Sequence, residues 1–369
     1  MLFISKRNYG KTLALVIIAL ILGSQAALAC TGIILRSNDG ATVPARTMEF
    51  AFDIESNLLA IPAGTEIDTL VLDRDKTGFT FKAKYGFLGA NGLDKPIVFD
   101  GMNTQGLYYG AFYFAGEAEF GTVSEENRDR AVSSEEMGNW ILGQFATVDE
   151  VVAALPSIEV VGTYVEEIGG RVPFHYAVTD RTGAAVVIEY TKDGLKVHQN
   201  TVNAVTNNPT YDWHLTNLSN YVGLQPRNVK AIEVGSEIIS PFGQGSGMLG
   251  LPGDMTSPTR FVRAVAFANS SLPSETVDEA IFKAFHILNV FDIPKGAIRE
   301  ADEDVPFTDY TLWTSAADTL NAIYYYKTYV TQAVESVNVT AVIDAITEPT
   351  VVEMESGFQV RDRTRDFSN

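Results

Sequence analysis

The chain has 369 residues, of which 46% are hydrophobic and 11% aromatic, and its formal net charge is −19. This composition supports a substantial apolar core, in one large domain or in two. The excess of acidic residues favours solubility and argues against nucleic acid or an anionic membrane surface as a partner.

The N-terminal segment has the organisation of a secretory signal peptide. Residues 6–11 carry three basic side chains, residues 13–22 form an uninterrupted apolar run, and small residues stand at Ala27 and Ala29. The run has about ten residues, half of the roughly 20 that a membrane-spanning helix needs. We therefore predict that residues 1–29 are a signal peptide, cut after Ala29, and that the protein is periplasmic or secreted. Cleavage would remove three positive charges and change the net charge from −19 to −22.

After this segment the sequence alternates between strand-like and helix-like stretches. The first predicted strands are rich in β-branched and aromatic residues, and they cover residues 32–36, 42–50, 58–62, 79–85, 97–100 and 107–114. Two helices follow, because Ser133 with Glu136 and Thr147 with Glu150 have the spacing of a capping box, and Pro156 ends the second helix. The remaining predicted elements are strands at 174–179, 184–190 and 195–199, helices at 213–221, 259–268 and 274–290, and strands at 310–314 and 321–328.

The order of these elements indicates the fold class. Strands in hairpins, with helices grouped between them, favour an α+β layered fold over a parallel sheet of β-α-β units. No linker, internal repeat or low-complexity tract divides the chain after the signal peptide. We therefore predict a single domain over residues 30–369.

Cys30 is the only cysteine, and the predicted cut would make it the first residue of the mature protein. Its α-amine, with a reference pKa near 8, would then lie beside its thiol and could take the thiol proton as a general base. A nearby cation favours the reactive thiolate, and positioned donors stabilise the oxyanion that forms when a thiolate attacks an amide. We expect a cation, a carboxylate and amide donors around Cys30. The alternative interpretation is a buried structural cysteine.

Other catalytic patterns are missing from the sequence. It contains no Gly-x-Ser-x-Gly elbow, no phosphate-binding loop and no His-Glu-x-x-His motif. The four histidines, at positions 175, 198, 214 and 286, are scattered, so we expect no metal and no cofactor. His175 and His286 lie within apolar runs and are predicted to be buried core residues.

Arg46 and Glu49 are the candidate charged partners of Cys30. A hairpin turn near residues 38–40 would fold the strand that carries them back beside the strand beginning at Cys30. Arg46 would then be a cross-strand neighbour of the chain terminus. The alternative interpretation is an exposed ion pair that contributes little.

Several sequence blocks in order resemble one known family. The chain resembles the choloylglycine hydrolase family of N-terminal nucleophile hydrolases, which includes bile salt hydrolases and penicillin V acylases, over residues 30–330. The blocks are Cys30-Thr-Gly32, Arg46-x-Met-Glu49, Asp100-Gly-Met-Asn103, Thr206-Asn-Asn-Pro209, Gly243-Gln-Gly245 through Arg260-Phe261, and Phe285-His-Ile-Leu288. The resemblance implies a four-layer αββα sandwich of two antiparallel sheets.

The resemblance also implies catalytic roles. Cys30 matches the nucleophile, and Arg46 matches an arginine that sits against its sulfur. Glu49 matches a position that is usually aspartate and is hydrogen-bonded to the α-amine and the sulfur. Glutamate is one methylene longer, so its carboxylate must come from a shifted strand or a folded rotamer.

Three further positions complete the implied site. Asn207 matches an asparagine whose side-chain amide donates to the oxyanion. Tyr113 matches the position whose backbone N–H is the second oxyanion donor. Arg260 matches a second arginine in the network of the nucleophile. Without the resemblance, Asn207 would be a turn residue before proline and Arg260 an exposed residue in the first turn of a helix.

The implied activity is hydrolysis of a linear, non-peptide amide through an acyl-thioester on Cys30, with a small-molecule N-acyl amide as substrate. Tyr113 favours penicillin V acylase, because bile salt hydrolases often carry asparagine there. N-acyl homoserine lactones are alternative substrates. An acyl pocket lined by apolar residues such as Phe50, Phe112 and Phe114 would fit these substrates, although the same residues would also fit a core. By resemblance, the protein would form a homodimer or a homotetramer.

A different class of protein fits the same N-terminal residues. Leu28-Ala29-Cys30 partly resembles a lipoprotein signal, in which lipidation of the thiol and later acylation of the amine would block both groups. The protein would then be a membrane-anchored binding lipoprotein without catalysis. If the signal is instead cut by ordinary signal peptidase, we expect no membrane association.

Overall fold

The computed structural model of the protein describes residues 29–70, 77–299 and 308–367. The predicted signal peptide therefore lies, except for Ala29, outside the described residues. Among the described residues, no helix has the length and apolar character needed to cross a membrane.

The strands follow one another along the whole chain. The first half contains β1 (Cys30–Arg36), β2 (Thr42–Phe50), β3 (Asn57–Ile61), β4 (Glu66–Asp68), β5 (Thr80–Lys82), β6 (Phe87–Asn91), β7 (Val98–Asn103), β8 (Tyr108–Tyr113), β9 (Ala131–Ser133) and β10 (Glu159–Val161). The second half contains β11 (Phe174–Thr179), β12 (Ala185–Thr191), β13 (Gly194–Gln199), β14 (Ala204–Val205), β15 (Ile232–Val234), β16 (Glu237–Ile239), β17 (Tyr310–Asp318), β18 (Ile323–Thr328), β19 (Glu335–Asn338) and β20 (Thr350–Glu353).

The helices are fewer and most of them are short. They are α1 (Met137–Gln144), α2 (Val148–Ala154), α3 (Tyr211–Asn217), α4 (Ser257–Ser270), α5 (Val277–Leu288) and α6 (Val339–Ala345).

One antiparallel sheet carries the start of the chain. Its strand order is β14-β1-β2-β17-β18-β19. The predicted hairpin is present, with Cys30 opposite Met48 and Gly32 opposite Arg46. Gly40, in the turn, has a φ of 92°, a conformation that glycine adopts without steric strain.

A second antiparallel sheet has the strand order β13-β12-β11-β8-β7-β6-β3-β20. The two sheets face each other. The carboxylate of Asp100 on β7 accepts hydrogen bonds from Ser315 on β17 and Tyr324 on β18. The guanidinium of Arg46 on β2 lies over the ring of Phe112 on β8.

Helices cover the outer face of each sheet. Helices α4 and α5 pack on β1, and α5 also packs on β2 and β17, while α1 packs on β7 and β8 and α6 on β3, β6 and β7. The predicted α+β class and the αββα sandwich of two antiparallel sheets are confirmed.

One of the two predicted capping boxes is wrong and the other is right. Ser133 belongs to β9, and α1 begins only at Met137. The Glu136 carboxylate is not a cap, because it accepts hydrogen bonds from the Ser133 hydroxyl (2.6 Å) and the Leu70 N–H (2.5 Å). At α2 the Thr147 hydroxyl does accept from the Glu150 N–H at 3.2 Å.

Strand β6 and the C-terminal elements were not predicted. The predicted strand at residues 79–85 is the short β5, and β6 follows it. Strand β20, at the edge of its sheet beside β3, has mostly exposed side chains, so its sequence lacks the apolar signal of a buried strand.

Candidate active site

Cys30 lies at the start of β1 and is buried, with 2% of its surface exposed. Its Sγ is 3.8 Å from the Sδ of Met48, the residue opposite it on β2. Ala29 still precedes it in the described chain, so its nitrogen is a peptide N–H. This N–H donates to Asn207 Oδ1 at 2.8 Å.

Arg46 is fully buried and lies on the same face of the sheet as Cys30, because cross-strand partners and residues two apart share a face. Its guanidinium donates to the carbonyls of Ala111 and, at 3.2 Å, Thr47, and it lies 4.2 Å from the centre of the Phe112 ring. Burial alone would lower the pKa of Arg46. The charges of the Cys30 thiolate and the Asp100 carboxylate outweigh burial and raise it.

Gly32 makes room for this packing. A Cβ atom at this position would lie 2.7 Å from Val205 Cγ1 and 2.8 Å from Phe112 Cζ, far inside van der Waals contact. The glycine after Cys30-Thr31 therefore allows the Phe112 ring to lie against β1 while it stacks on Arg46.

Asn207 connects the two sheets beside Cys30. It follows β14, and its Oδ1 accepts from both the Cys30 N–H and Arg260 Nη2, the latter at 2.6 Å. Its Nδ2 donates to the carbonyl of Tyr113, the last residue of β8, at 2.8 Å.

The backbone of Tyr113 faces Asn207. The next N–H along the chain, that of Phe114, donates across to Pro173 at 2.7 Å. Successive residues of a strand direct their backbone polar groups to opposite sides. The N–H and the carbonyl of Tyr113 therefore both point away from the segment that contains Pro173. The carbonyl is the group that Asn207 Nδ2 contacts.

Arg260, in the first turn of α4, is buried rather than exposed. Its Nη1 donates to the Cys30 carbonyl and to Thr31 Oγ1 (2.9 Å), and its Nε donates to the Met255 carbonyl (2.8 Å). Burial lowers the pKa of Arg260, and the charges of Glu49 and Cys30 oppose this effect. Arg260 thus holds both Cys30 and Asn207.

Glu49 lies near the end of β2 and is also buried. Its Oε1 accepts from Thr311 Oγ1 at 3.0 Å, and its Oε2 has no hydrogen-bond partner among the described residues. Burial raises the pKa of Glu49 to about 8, although the positive charge of Arg260 opposes this rise. Glu49 and Cys30 line the same cavity.

Asp100 is a member of the electrostatic network that the sequence did not reveal. Its carboxylate accepts from the hydroxyls of Tyr108, Ser315 (2.7 Å) and Tyr324 (2.5 Å). Burial raises the pKa of Asp100, while the charge of Arg46 opposes the rise. Asp100 lies in one of the sequence blocks that resemble the family. The three hydroxyl groups that donate to its carboxylate come from β8, β17 and β18, so no local spacing in the sequence reveals their contact with Asp100.

The cavity beside Cys30 is small and apolar. It has a volume of about 20 Å³, close to that of one water molecule, and its walls include Phe50, Ile54, Phe99, Ile168, Val172 and Phe174. Of the predicted acyl-pocket residues, Phe112 packs against Arg46, and Phe114 stacks on His175 at 4.3 Å. An acyl group therefore requires the cavity to widen.

The histidines differ in their surroundings. His175 is buried, as predicted, and so is His214. His286 is exposed on α5, so the prediction of a core position for His286 is wrong, because the apolar face of the helix is formed by its neighbours Phe285 and Ile287.

Comparisons with known proteins agree with this geometry. Residues 30–347 match the model of a family described as linear amide C–N hydrolases, choloylglycine hydrolase family. A bile salt hydrolase/transferase from Clostridium perfringens is 30% identical over 311 residues, which cover 84% of this chain and 92% of that protein. A penicillin V acylase from Pectobacterium atrosepticum is 27% identical over 348 residues, which cover 88% of this chain and 85% of that protein.

A solved structure shares the fold. The crystal structure of a conjugated bile acid hydrolase from Clostridium perfringens superposes with a TM-score of 0.81 at 27% identity, covering 90% of this chain and 99% of that one. The stacked antiparallel sheets and these matches define an N-terminal nucleophile hydrolase fold. The chain belongs to the choloylglycine hydrolase family of linear amide C–N hydrolases.

The buried carboxylate of Glu49 gives a testable dependence of stability on pH. Its pKa is about 8 in the folded chain and near 4.5 when exposed, so between these values the folded state binds more protons than the unfolded state. The free energy of unfolding should therefore fall as pH rises through this window. Glu49→Gln cannot titrate at this position. Between pH 5 and pH 8.5, its free energy of unfolding should therefore rise by at least about 1 kcal/mol relative to that of the uncleaved wild-type chain.

Urea unfolding of the uncleaved chain at several pH values measures this difference. Glu125→Gln, at an exposed position, is the matched control and should follow the wild type at every pH. Parallel stability curves for wild type and Glu49→Gln would contradict the assignment of a buried, protonated Glu49.

Proposed function

We propose that the protein is exported, is cut after Ala29, and hydrolyses linear N-acyl amides with Cys30 as its nucleophile. The observation that carries the proposal is the position of the Cys30 nitrogen, 2.8 Å from Asn207 Oδ1, with Arg260 donating to the same oxygen. The group that would become the α-amine is thus held at a fixed point beside the thiol. Residues 30–369 would act as a single domain, since one hydrophobic core joins both sheets.

In the first step the α-amine takes the thiol proton and the thiolate attacks the amide carbon. Arg46 favours the thiolate, since its buried charge lies on the same side of the sheet as the sulfur. Glu49 lines the same cavity as Cys30 and would pair with the amine that cleavage creates, giving up its proton as it does so. The longer side chain of glutamate would in this way replace the usual aspartate.

The attack places negative charge on the amide oxygen. An asparagine amide carries two hydrogens, and the bond from Asn207 Nδ2 to the Tyr113 carbonyl uses one of them. The second hydrogen and the Tyr113 N–H would donate to the oxyanion, and each such donor lowers the barrier by roughly 3–4 kcal/mol. The C–N bond then breaks, the leaving amine takes the proton from the ammonium, and water hydrolyses the acyl-thioester on Cys30.

The substrate class we favour is that of penicillin V acylases, with a phenoxyacetyl or similar acyl group. Tyr113 supports this choice, because its partly buried side chain lines the apolar cavity beside Cys30. Conjugated bile salts are the second candidate, because a bile salt hydrolase/transferase is 30% identical to this chain. N-acyl homoserine lactones are the third candidate, because their apolar acyl chains would suit the same cavity once it widens and because the enzyme would be exported.

The decisive experiment compares kcat/KM for penicillin V, glycocholate and an N-acyl homoserine lactone in wild type and Cys30→Ser. The substitution should lower kcat at least about 1000-fold for the preferred amide while leaving the thermal unfolding midpoint unchanged within a few degrees. The intact mass of the mature protein tests the alternative, a lipoprotein lipidated on Cys30. A diacylglyceryl adduct on Cys30, or near wild-type activity of Cys30→Ser, would contradict the proposal.

We also propose that the protein forms a homodimer or homotetramer through an exposed arm. The hairpin of β15 and β16 exposes Ile232, Val234, Ile238 and Ile239, and Phe242 after it is completely exposed. Apolar side chains exposed together in this way are typical of protein–protein contacts.

Light scattering after size-exclusion chromatography tests this assembly. Wild type should have at least twice the chain mass, and Phe242→Asp should shift the population towards monomer. Phe358→Asp, at an exposed phenylalanine outside the arm, is the control and should keep the wild-type mass. A monomeric wild type would overturn the proposal.

A further inference from the structure

We propose that His175 and His214 are positioning residues that hold the backbone of Asn207 in place, and that Glu189 orients His175. This inference rests on the proposed role of Asn207 in binding the oxyanion. None of these three residues belongs to the site that the sequence predicted.

The two histidines contact consecutive carbonyl groups on either side of Asn207. His175 Nε2 lies 2.9 Å from the Thr206 carbonyl oxygen, and His214 Nε2 lies 3.0 Å from the carbonyl oxygen of Asn207 itself. The intervening Asn207 N–H donates to Ser257 Oγ at 3.0 Å. The Thr206 carbonyl, the Asn207 N–H and the Asn207 carbonyl are therefore each contacted by a side chain.

Each histidine ring is also held by an aromatic ring. His175 stacks on Phe114 with ring centres 4.3 Å apart and planes 4° apart. His214 stacks on Phe261 at 4.5 Å and 14°. Phe114 follows Tyr113 in the chain, and Phe261 follows Arg260. The histidines thus pack against chain neighbours of Tyr113 and Arg260, two of the three residues that the Asn207 side chain contacts.

Glu189 accounts for the orientation of the His175 ring. Its Oε1 lies 3.4 Å from His175 Nδ1 and accepts from the Tyr211 N–H at 2.9 Å. Both ring nitrogens of His175 therefore face oxygen atoms, Nδ1 that of Glu189 and Nε2 that of the Thr206 carbonyl. Burial raises the pKa of Glu189, but its contacts with His175, with the Tyr211 N–H and with His198 together outweigh burial and lower it. Glu189 thus holds the His175 ring from its Nδ1 side.

His214 acts as a neutral donor. Burial lowers its pKa to about 4, so at neutral pH its ring carries a single hydrogen. Because Nε2 faces a carbonyl oxygen, that hydrogen is on Nε2, and Nδ1 has no hydrogen-bond partner among the described residues. Loss of either histidine would leave a buried carbonyl without its donor and free the Asn207 segment to shift.

A shift of Asn207 should affect the chemical step more than substrate binding, because a displacement of about 1 Å costs up to about 100-fold in rate. We expect His175→Phe, which keeps the ring stacking but removes both ring nitrogens, to lower kcat 10- to 100-fold with KM within about twofold. His175→Gln, which restores one amide donor, should recover at least part of kcat. His175→Phe combined with Asn207→Ala should be no slower than Asn207→Ala alone.

Glu189→Gln provides a second test if His175→Phe does not fold. It preserves the shape of the side chain but removes the charge, and we expect kcat to fall 3- to 10-fold. The matched control is Glu135→Gln, at another buried carboxylate, which accepts from Thr163 Oγ1 at 2.9 Å, and kcat should not change.

The outcomes separate the two proposals. An inactive wild type, or full activity in Asn207→Ala, would overturn the proposed function. An active wild type with an inactive Asn207→Ala, together with unchanged kcat in folded His175→Phe or Glu189→Gln, would overturn the positioning role alone. A lower thermal midpoint with unchanged kcat would likewise assign the histidines to stability only.

Discussion

The hydrogen bonds that Asn207 Oδ1 accepts from Cys30 and Arg260 are the constraint on which the site depends. They join the first residue of β1, the segment after β14 and the first turn of α4, three parts of the chain that are far apart in sequence. Through Nδ2 the same side chain reaches the end of β8 in the opposite sheet. A single amide therefore links the two sheets beside the buried Cys30.

This constraint requires several charged groups to be buried together. Arg46, Asp100 and Arg260 are almost completely buried and are hydrogen-bonded, as a buried charge requires, whereas the equally buried Glu49 is protonated below a pH of about 8. The αββα arrangement makes this possible, because strands on both sheets supply hydroxyl and carbonyl partners to the same space. The same burial raises the pKa of Glu49. It also strengthens the effect of the Asp100 charge, which raises the pKa of Arg46.

The sequence predicted the parts of this arrangement that depend on local pattern or on family resemblance. The turn before β2 placed Arg46 beside the strand of Cys30, and the resemblance supplied Tyr113, Asn207 and Arg260, which the fold brings together around Cys30. From its local sequence alone, Arg260 would be an exposed residue in the first turn of a helix. The local sequence does not show that this turn of α4 packs against β1 and buries Arg260.

Other members of the site had no local signal. Glu189 lies within a strand pattern of apolar residues, and its partners His175 and Tyr211 lie on a neighbouring strand and on a later helix. The Ser133–Glu136 spacing suggested a cap, but tertiary contacts of the Glu136 carboxylate decided the structure. Such residues are found only when the strand order is known, because burial and pairing are properties of the assembled sheets.

In the proposed mechanism a free α-amine on Cys30 acts as the base of the reaction. The most direct test compares kcat of protein that begins at Cys30 with kcat of protein that retains Ala29, with both termini verified by intact mass. Retention of Ala29 converts the amine into a peptide N–H that cannot accept the thiol proton. We expect kcat to be at least about 100-fold lower in the protein with Ala29, as for removal of a general base. Equal kcat for the two forms would contradict it.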